Sequence, residues 1–310
     1  MRAMILAAGL GTRLRPLSEL RPKPALPVRA IPLVAYTLHL LARHGVDEVM
    51  VNVHHQSGRV EEVCERFAPA GLRVLFSHEP TLLDTGGGIR RVAAFLRESD
   101  PCLLLGGDML LDADLGALVR LHRERGDAAT LLLKEDPRAG SFGTIGVDRE
   151  GRLRRLAKRL DLGGETRAGV WTWANAVAAR AFDAMPDRDV FVFLDDWLGG
   201  MLRSGARDVR AVLAREGEIT WEPVGTPGEY LAANLAKRSL SYLDAESLSR
   251  ETGASFGPDW VVGGGARLGA GVVLERAVVW DGESVPPGAR LTGGVFAGGA
   301  FHRCEPEASA

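Results

Sequence analysis

The sequence predicts an α/β chain, a mixed but mostly parallel sheet covered by helices, followed by a short left-handed β-helix. Two observations predict it. From Ala3 to Arg125, apolar runs of strand length alternate with longer segments of helical period. Beyond Arg250 the composition turns to Gly, Val, Ala and Pro, and aliphatic residues recur at a step of six.

The alternation places strands at Ala3 to Ala8, Glu48 to Val53, Arg73 to Phe76 and Cys102 to Leu105. Helices fall at Leu33 to His44, Gly58 to Phe67, Gly88 to Leu96 and Leu115 to Arg125. Such an order builds right-handed βαβ units. The second and fourth strands are continuously apolar and stopped by polar or glycine residues, as expected of strands buried on both faces. The stretch from Ala129 to Tyr242 continues the unit with mixed strand and helix character. In the C-terminal stretch Val262, Leu268, Leu274 and Trp280 keep the six-residue step, and after a step of five Val285, Leu291 and Ala297 resume it. That register belongs to hexapeptide repeats that coil with the repeated residue pointing inward, whereas a flexible glycine-rich tail keeps no register. The expected domains are therefore 1–245 and 250–310, and so short a coil implies support from the main domain or from a second copy in a homodimer or higher oligomer.

At 310 residues with 46% hydrophobic and 25% charged residues, the chain can bury a substantial core. Lys+Arg of 38 against Asp+Glu of 40 leaves a formal charge of -2, so nothing favours nucleic acid or an anionic membrane as a partner. Cys64, Cys102 and Cys304 are scattered and lack zinc-ligand spacing, which fits a reducing cytoplasm. The apolar run Met4 to Ala8 is too short for a signal segment or a membrane span. There are only four lysines: Lys23, Lys134, Lys158 and Lys237.

The opening strand runs into a glycine-rich turn, Gly9-Leu-Gly11-Thr12-Arg13, and then Arg21-Pro22-Lys23-Pro24. Glycines let backbone N–H groups approach phosphate oxygens, and a fixed arginine and lysine supply the positive charge a triphosphate needs. A dinucleotide fingerprint wants a third glycine where Leu14 stands, and a P-loop wants GKS or GKT; both are absent. A merely structural turn stays open on these residues alone.

The run LAAGLGTRLRPLSELRPKPALPV resembles the signature of the sugar-1-phosphate nucleotidyltransferases, the NDP-sugar pyrophosphorylases, and most closely the mannose-1-phosphate guanylyltransferases. The resemblance spans roughly residues 1 to 240. It implies a Rossmann-like catalytic domain that joins a nucleoside triphosphate to a sugar-1-phosphate with Mg²⁺. It also implies that Leu6, Ala7, Ala8, Gly9, Gly11, Thr12 and Arg13 wrap the nucleotide and that Lys23 meets the phosphates near the reacting centre. Leu103-Leu-Leu-Gly-Gly-Asp108 resembles the family's strand ending in a metal-binding aspartate. The carboxyl end of a parallel strand is also where open α/β sheets bind ligands, although a helix N-cap is the alternative. His78-Glu79-Pro80 through Asp84-Thr85-Gly86-Gly87-Gly88 is similar to the base-reading segment. There Glu79 suits the two adjacent donors of guanine better than uracil. Lys158, Gly143, Arg167 and Gly169 fall where the family holds the sugar phosphate, with Arg167 replacing the common asparagine. Lys134 and Lys237 read as solvated surface residues, and His54-His55 as loop residues in preference to a metal pair. One departure matters: in Trp221-Glu222-Pro223-Val224-Gly225-Thr226-Pro227, Pro223 takes the place of the usual second metal-binding aspartate, and Glu222 points the other way on a strand. A non-catalytic sensor of nucleotide sugars and a uridylyltransferase of an amino sugar or muramic acid phosphate are the competing expectations.

Overall fold

The structure, a computed structural model, describes residues 1–304; residues 305–310, the end of the expected C-terminal domain, lie outside the described residues. The first half forms in the predicted order: β1 (Arg2–Leu6), α1 (Leu33–Arg43), β2 (Glu48–Val53), α2 (Ser57–Phe67), β3 (Arg73–His78), α3 (Asp84–Arg91) and β4 (Cys102–Gly106), but the helix expected at Gly88 to Leu96 starts at Asp84 and breaks at Val92, with a separate short turn over Ala93–Leu96. β1 lies between β2 and β4 and β3 outside β2, all parallel. Each strand divides its side chains between two apolar layers, since successive residues face opposite ways. Ala3, Ile5, Leu103 and Leu105 enter the layer under α1 and α2. Met4, Cys102 and Leu104 enter the opposite one.

After β4 the chain makes a short strand, β5 (Met109–Asp112), then α4 (Leu115–Arg125) and β6 (Ala129–Lys134). Asp114 caps α4 by accepting a hydrogen bond from Ala117 N at 2.8 Å, and Gly126 ends it in the left-handed conformation. β7 (Ile145–Val147), β8 (Leu153–Leu156), the long β9 (Arg167–Val177) and β10 (Val209–Ala214) belong to the same sheet, with the two-residue strand Leu160–Asp161 at its edge beside β8. The sheet is mixed because β9 runs antiparallel to both β4 and β6, while β10 returns parallel to β6. Lys134 corrects its surface reading: it is buried and pairs with Asp136 at 2.8 Å, and Asp136 is also bound by Arg138.

β11 (Thr220–Pro223) pairs with β5 as a separate antiparallel ribbon that sets Pro223 opposite Met109, next to Asp108. Then come α5 (Pro227–Leu235), capped by Thr226, and the C-terminal coil. β12 (Trp260–Val262), β13 (Val273–Val279) and β14 (Arg290–Ala297) stack in parallel, Trp260 on Ala277 and Ala277 on Gly294. Stacked residues are 17 apart, as Trp260 and Ala277 are, and the inward set differs from the sequence reading on this face. Val262, Val279 and Phe296 fill the coil interior. Trp280 and Ala297 instead join a third apolar layer with Val261, Val278, Tyr230 and Leu14, which seals the coil onto the α/β part. Trp280 sits one residue beyond inward-facing Val279 on the same extended run, so alternation turns it outward. Leu268, also expected inside, is 44% exposed.

Candidate active site

The loop after β1 carries Gly9, with open space around its α-carbon, and Gly11 at φ +60, a conformation that favours glycine. Gly11 starts the single turn Thr12–Leu14, whose buried Leu14 anchors it and leaves Arg13 turned outward. Asp108 follows β4 through Gly106-Gly107 and reaches the same place. Leu6, Ala7, Gly9, Gly11, Thr12, Arg13, Lys23 and Asp108 line one cavity of about 230 Å³. Lys23 Nζ lies 2.7 Å from Asp108 Oδ2. Arg13, by contrast, has no carboxylate within ion-pair distance among the described residues. Its guanidinium stands beside Gly225, where an added Cβ would lie 3.1 Å from Arg13 Nη2. A guanidinium without a protein anion, over a glycine turn, is a seat for phosphate oxygens.

Two further cavities open on either side. One, about 260 Å³, is lined by Ala8, Gly9, Asn52, Glu79, Leu82, Thr85, Asp108 and Trp173. Glu79 is 3% exposed. Its Oε1 accepts from Asn52 Nδ2 at 2.8 Å and its Oε2 from Leu83 N at 3.1 Å. Asn52 Oδ1 in turn accepts from Ala7 N at 2.7 Å, so that amide is spent on holding the loop. Asn52 is a site residue the sequence reading missed, and its signal was there: a lone amide inside the apolar run of β2 has to be satisfied by something. The other cavity, about 200 Å³, is lined by the aromatic residues Phe142, Trp171, Trp173 and Trp221 and also by Arg13, Lys23, Asp108 and Glu229. Gly143 lines it at φ +76.

Several expected contacts lie elsewhere. Gly86 and Gly87 are not cavity residues: both N–H groups donate to Phe191 O, at 2.8 and 3.2 Å. An added Cβ would strike Phe191 at Gly86 and Asp189 O at Gly87. Those glycines let α3 pack against the 189–191 segment, and it is Gly88 that gives Glu79 room, since a Cβ there would lie 2.7 Å from Glu79 Oε1. Thr85 does line the cavity, and its Oγ1 accepts from Phe193 N at 2.9 Å. Gly169 is required by packing: a Cβ would come 2.3 Å from Leu213. Arg167 and Lys158 are exposed and outside the cavity wall, although Ala157, next to Lys158, is part of it. His54 and His55 serve the loop, His54 Nδ1 lying 2.7 Å from Glu79 O and His55 Nε2 3.0 Å from Gln56 Nε2.

For a divalent cation, Asp108 is the carboxylate that lines all three cavities; Glu229 also lines the sugar-side one, where its Oε2 accepts from Gly225 N at 2.7 Å. Among the described residues no group of three or more His, Cys, Asp or Glu could hold a metal. The Asp108 side chain is 47% exposed, towards the cavities. Glu222 is turned away, 3.0 Å from Arg138 Nη1 and 3.7 Å from Arg238 Nη2. One carboxylate fits Mg²⁺ where phosphate oxygens and water complete the octahedron, which is how that ion is commonly held.

The comparisons with known proteins agree with this geometry. A family model described as nucleotidyl transferase matches residues 2–239. A UTP--glucose-1-phosphate uridylyltransferase of Synechocystis is 27% identical over 94% of this chain and 86% of its own. A mannose-1-phosphate guanylyltransferase of Mycobacterium tuberculosis is 30% identical over 92% of this chain and 81% of its own. Among solved structures, HddC from Yersinia pseudotuberculosis shares the fold with a TM-score of 0.63 at 19% identity, over 75% of this chain and 97% of that one. No helix among the described residues is long and apolar enough to cross a membrane. With the model spanning most of the chain and the guanylyltransferase nearly all of it, the protein belongs to the nucleotidyl transferase family.

Proposed function

We propose that the protein transfers a nucleotidyl group from a nucleoside triphosphate to a sugar-1-phosphate, releasing pyrophosphate. One observation carries the reading: Asp108 lines all three cavities, so the base-sized, phosphate-sized and sugar-sized spaces meet at one carboxylate flanked by Arg13 and Lys23. In this reading the nucleotide base lies against Glu79 and Thr85, its phosphates over Leu6 to Arg13, and the sugar phosphate in the aromatic cavity beside Gly143. Family members generally use a divalent metal. Mg²⁺ held by Asp108 and the phosphates would supply charge neutralisation at the transferring phosphoryl group. Arg13 and Lys23 hold the triphosphate so that an oxygen of the sugar phosphate faces the α-phosphorus in line with the departing pyrophosphate. That oxygen is already anionic, so no side chain has to remove a proton and no covalent intermediate with the protein is needed. Lys158, next to Ala157 of the sugar cavity, is the residue we assign to the acceptor phosphate, from its match to the family pattern.

For the substrates, mannose-1-phosphate and GTP are the pair we favour, from Glu79 and from the printed names of the guanylyltransferase relatives. A uridylyl transfer is supported by the Synechocystis relative. Pro223 favours a further reading, a non-catalytic sensor of nucleotide sugars. The proposed domains are 1–245 and 250–310, the second a left-handed β-helix that also serves as the contact in a homodimer or higher oligomer. The deciding experiment is pyrophosphate release with Mg²⁺ and a grid of nucleoside triphosphates and sugar-1-phosphates. Release with one pair names base and sugar, whereas binding of the nucleotide sugar without release supports the sensor.

A further inference from the structure

Trp173 stands where the base-sized and sugar-sized cavities meet and lines both. Its backbone is at φ +60, a conformation that a bulky residue adopts only under constraint and that clusters at functional sites. The constraint is local. The register of β9 against β6 shifts between Trp171 and Asn175, and such a bulge re-aims the side chains it contains. Gly106, at the end of β4, completes the arrangement: a Cβ there would come 3.3 Å from Trp173 Cβ and 3.0 Å from Asp108 Oδ1. The same glycine therefore admits both the tryptophan and the carboxylate.

The indole is also the outer end of an aromatic stack. Trp173 lies 3.7 Å from Trp171, centroid to centroid, at 29°, and Trp171 lies 5.9 Å from Phe193 at 20°. Phe193 meets the fully buried Trp197 edge to face at 5.3 Å. One face of Trp173 is thus taken by Trp171, the ring packs against the apolar layer under α1 and α2, and what stays exposed of it lines both cavities. A ring fixed from the core outwards offers stacking surface with little further loss of side-chain freedom.

We infer that Trp173 is the shared wall of the two half-sites, contacting the nucleotide on one side and the sugar ring of the sugar phosphate on the other. The inference rests on the nucleotidyl transfer proposed above. It makes Trp173 a determinant of how both substrates sit relative to Asp108, a role no single-cavity residue can have.

The test uses the full chain with Trp173→Phe and Trp173→Asn. Asparagine tolerates a positive φ, so the second variant removes the ring without straining the backbone further. We expect Trp173→Asn to raise KM for the nucleoside triphosphate and for the sugar-1-phosphate alike, each about tenfold for loss of one stacking partner. Trp173→Phe should recover most of both losses. Addition of GTP alone and of mannose-1-phosphate alone should each change tryptophan emission in the natural protein, and both changes should shrink in Trp173→Phe, where Trp171 and Trp221 of the sugar cavity remain. A KM change confined to one substrate, no change in either, or an emission response of undiminished size to either ligand in Trp173→Phe overturns the inference. Should the natural protein release no pyrophosphate with any pair, the transfer reading fails by itself, and calorimetric Kd values for the same two ligands replace KM in deciding on Trp173.

Discussion

Lys23 and Pro223 bracket the chemistry from opposite sides. Lys23 is 2.7 Å from Asp108 and lines two of the three cavities. Lys23→Ala should lower kcat by roughly 10²–10³, the usual scale for losing one positioned group that stabilises developing charge. Circular dichroism should show the fold intact; near-normal turnover would refute the role. Pro223 lines the aromatic cavity opposite Met109, one residue from Asp108 in register. Pro223→Asp should therefore place a second carboxylate near the first and lower the Mg²⁺ concentration for half-maximal activity several-fold, with tighter Mn²⁺ binding by calorimetry as the activity-free readout. An unchanged metal requirement would show that phosphates alone set it. The glycine loop and Asp108 were legible in the sequence because the chemistry of a triphosphate demands those residue types in a fixed local order. Asn52 was legible only as a lone amide in an apolar strand, with nothing local to say what it holds, and Trp173 was not legible, since it owes its position to a bulge that no local pattern announces.

Among the elements, the α4–β6 junction holds the clearest pH sensitivity. His122, 3% exposed, faces Thr130 Oγ1 at 2.9 Å, and Thr130 donates to Asp127. Burial pulls its pKa down from 6.5 to about 4, with Arg180 and Arg123 adding to the effect and Asp100 opposing it. A histidine kept neutral in the fold stabilises it fully above its unfolded pKa, and that contribution is lost as pH falls from about 6.5 towards 4. Asp136, held ionised by Arg138 and Lys134, loses its own contribution only further down, as pH drops below the ordinary carboxylate range. The melting temperature should thus fall between pH 7 and 5, and less steeply in His122→Gln; equal slopes would remove His122 as the cause. The strands and helices up to α4 were readable because each is buried on both faces or amphipathic. The mixed half was not, since β9 is shared by three neighbours, β4, β6 and β7, and its residues satisfy them all, which blurs any single period.

At the scale of the whole molecule the coil is part of the catalytic unit's core. Trp280, 2% exposed, donates from Nε1 to Tyr230 Oη at 2.9 Å, and Tyr230 donates to Pro27 O at 2.5 Å. Trp280→Ala should cost about 3–5 kcal/mol, the range for deleting a buried tryptophan, measured by denaturant unfolding at neutral pH. A loss below 1 kcal/mol would mean the interface packs loosely. The hexapeptide rhythm announced the coil from sequence, yet it could not say which residues face inward. A side chain on a coil has two apolar places to go when a neighbouring domain covers one face, and a repeat records only the spacing.

Arg21 adds a consequence of its own. Its guanidinium grips Asp281 of the coil through two hydrogen bonds, 2.6 and 3.1 Å, and lies 4.7 Å from the Trp280 ring. Two residues later, with Pro22 stiffening the link, comes Lys23. The C-terminal segment is therefore a tether two residues from the lysine proposed to meet the phosphates, and a shortened protein ending before the coil would keep every residue of its catalytic pocket while losing that tether.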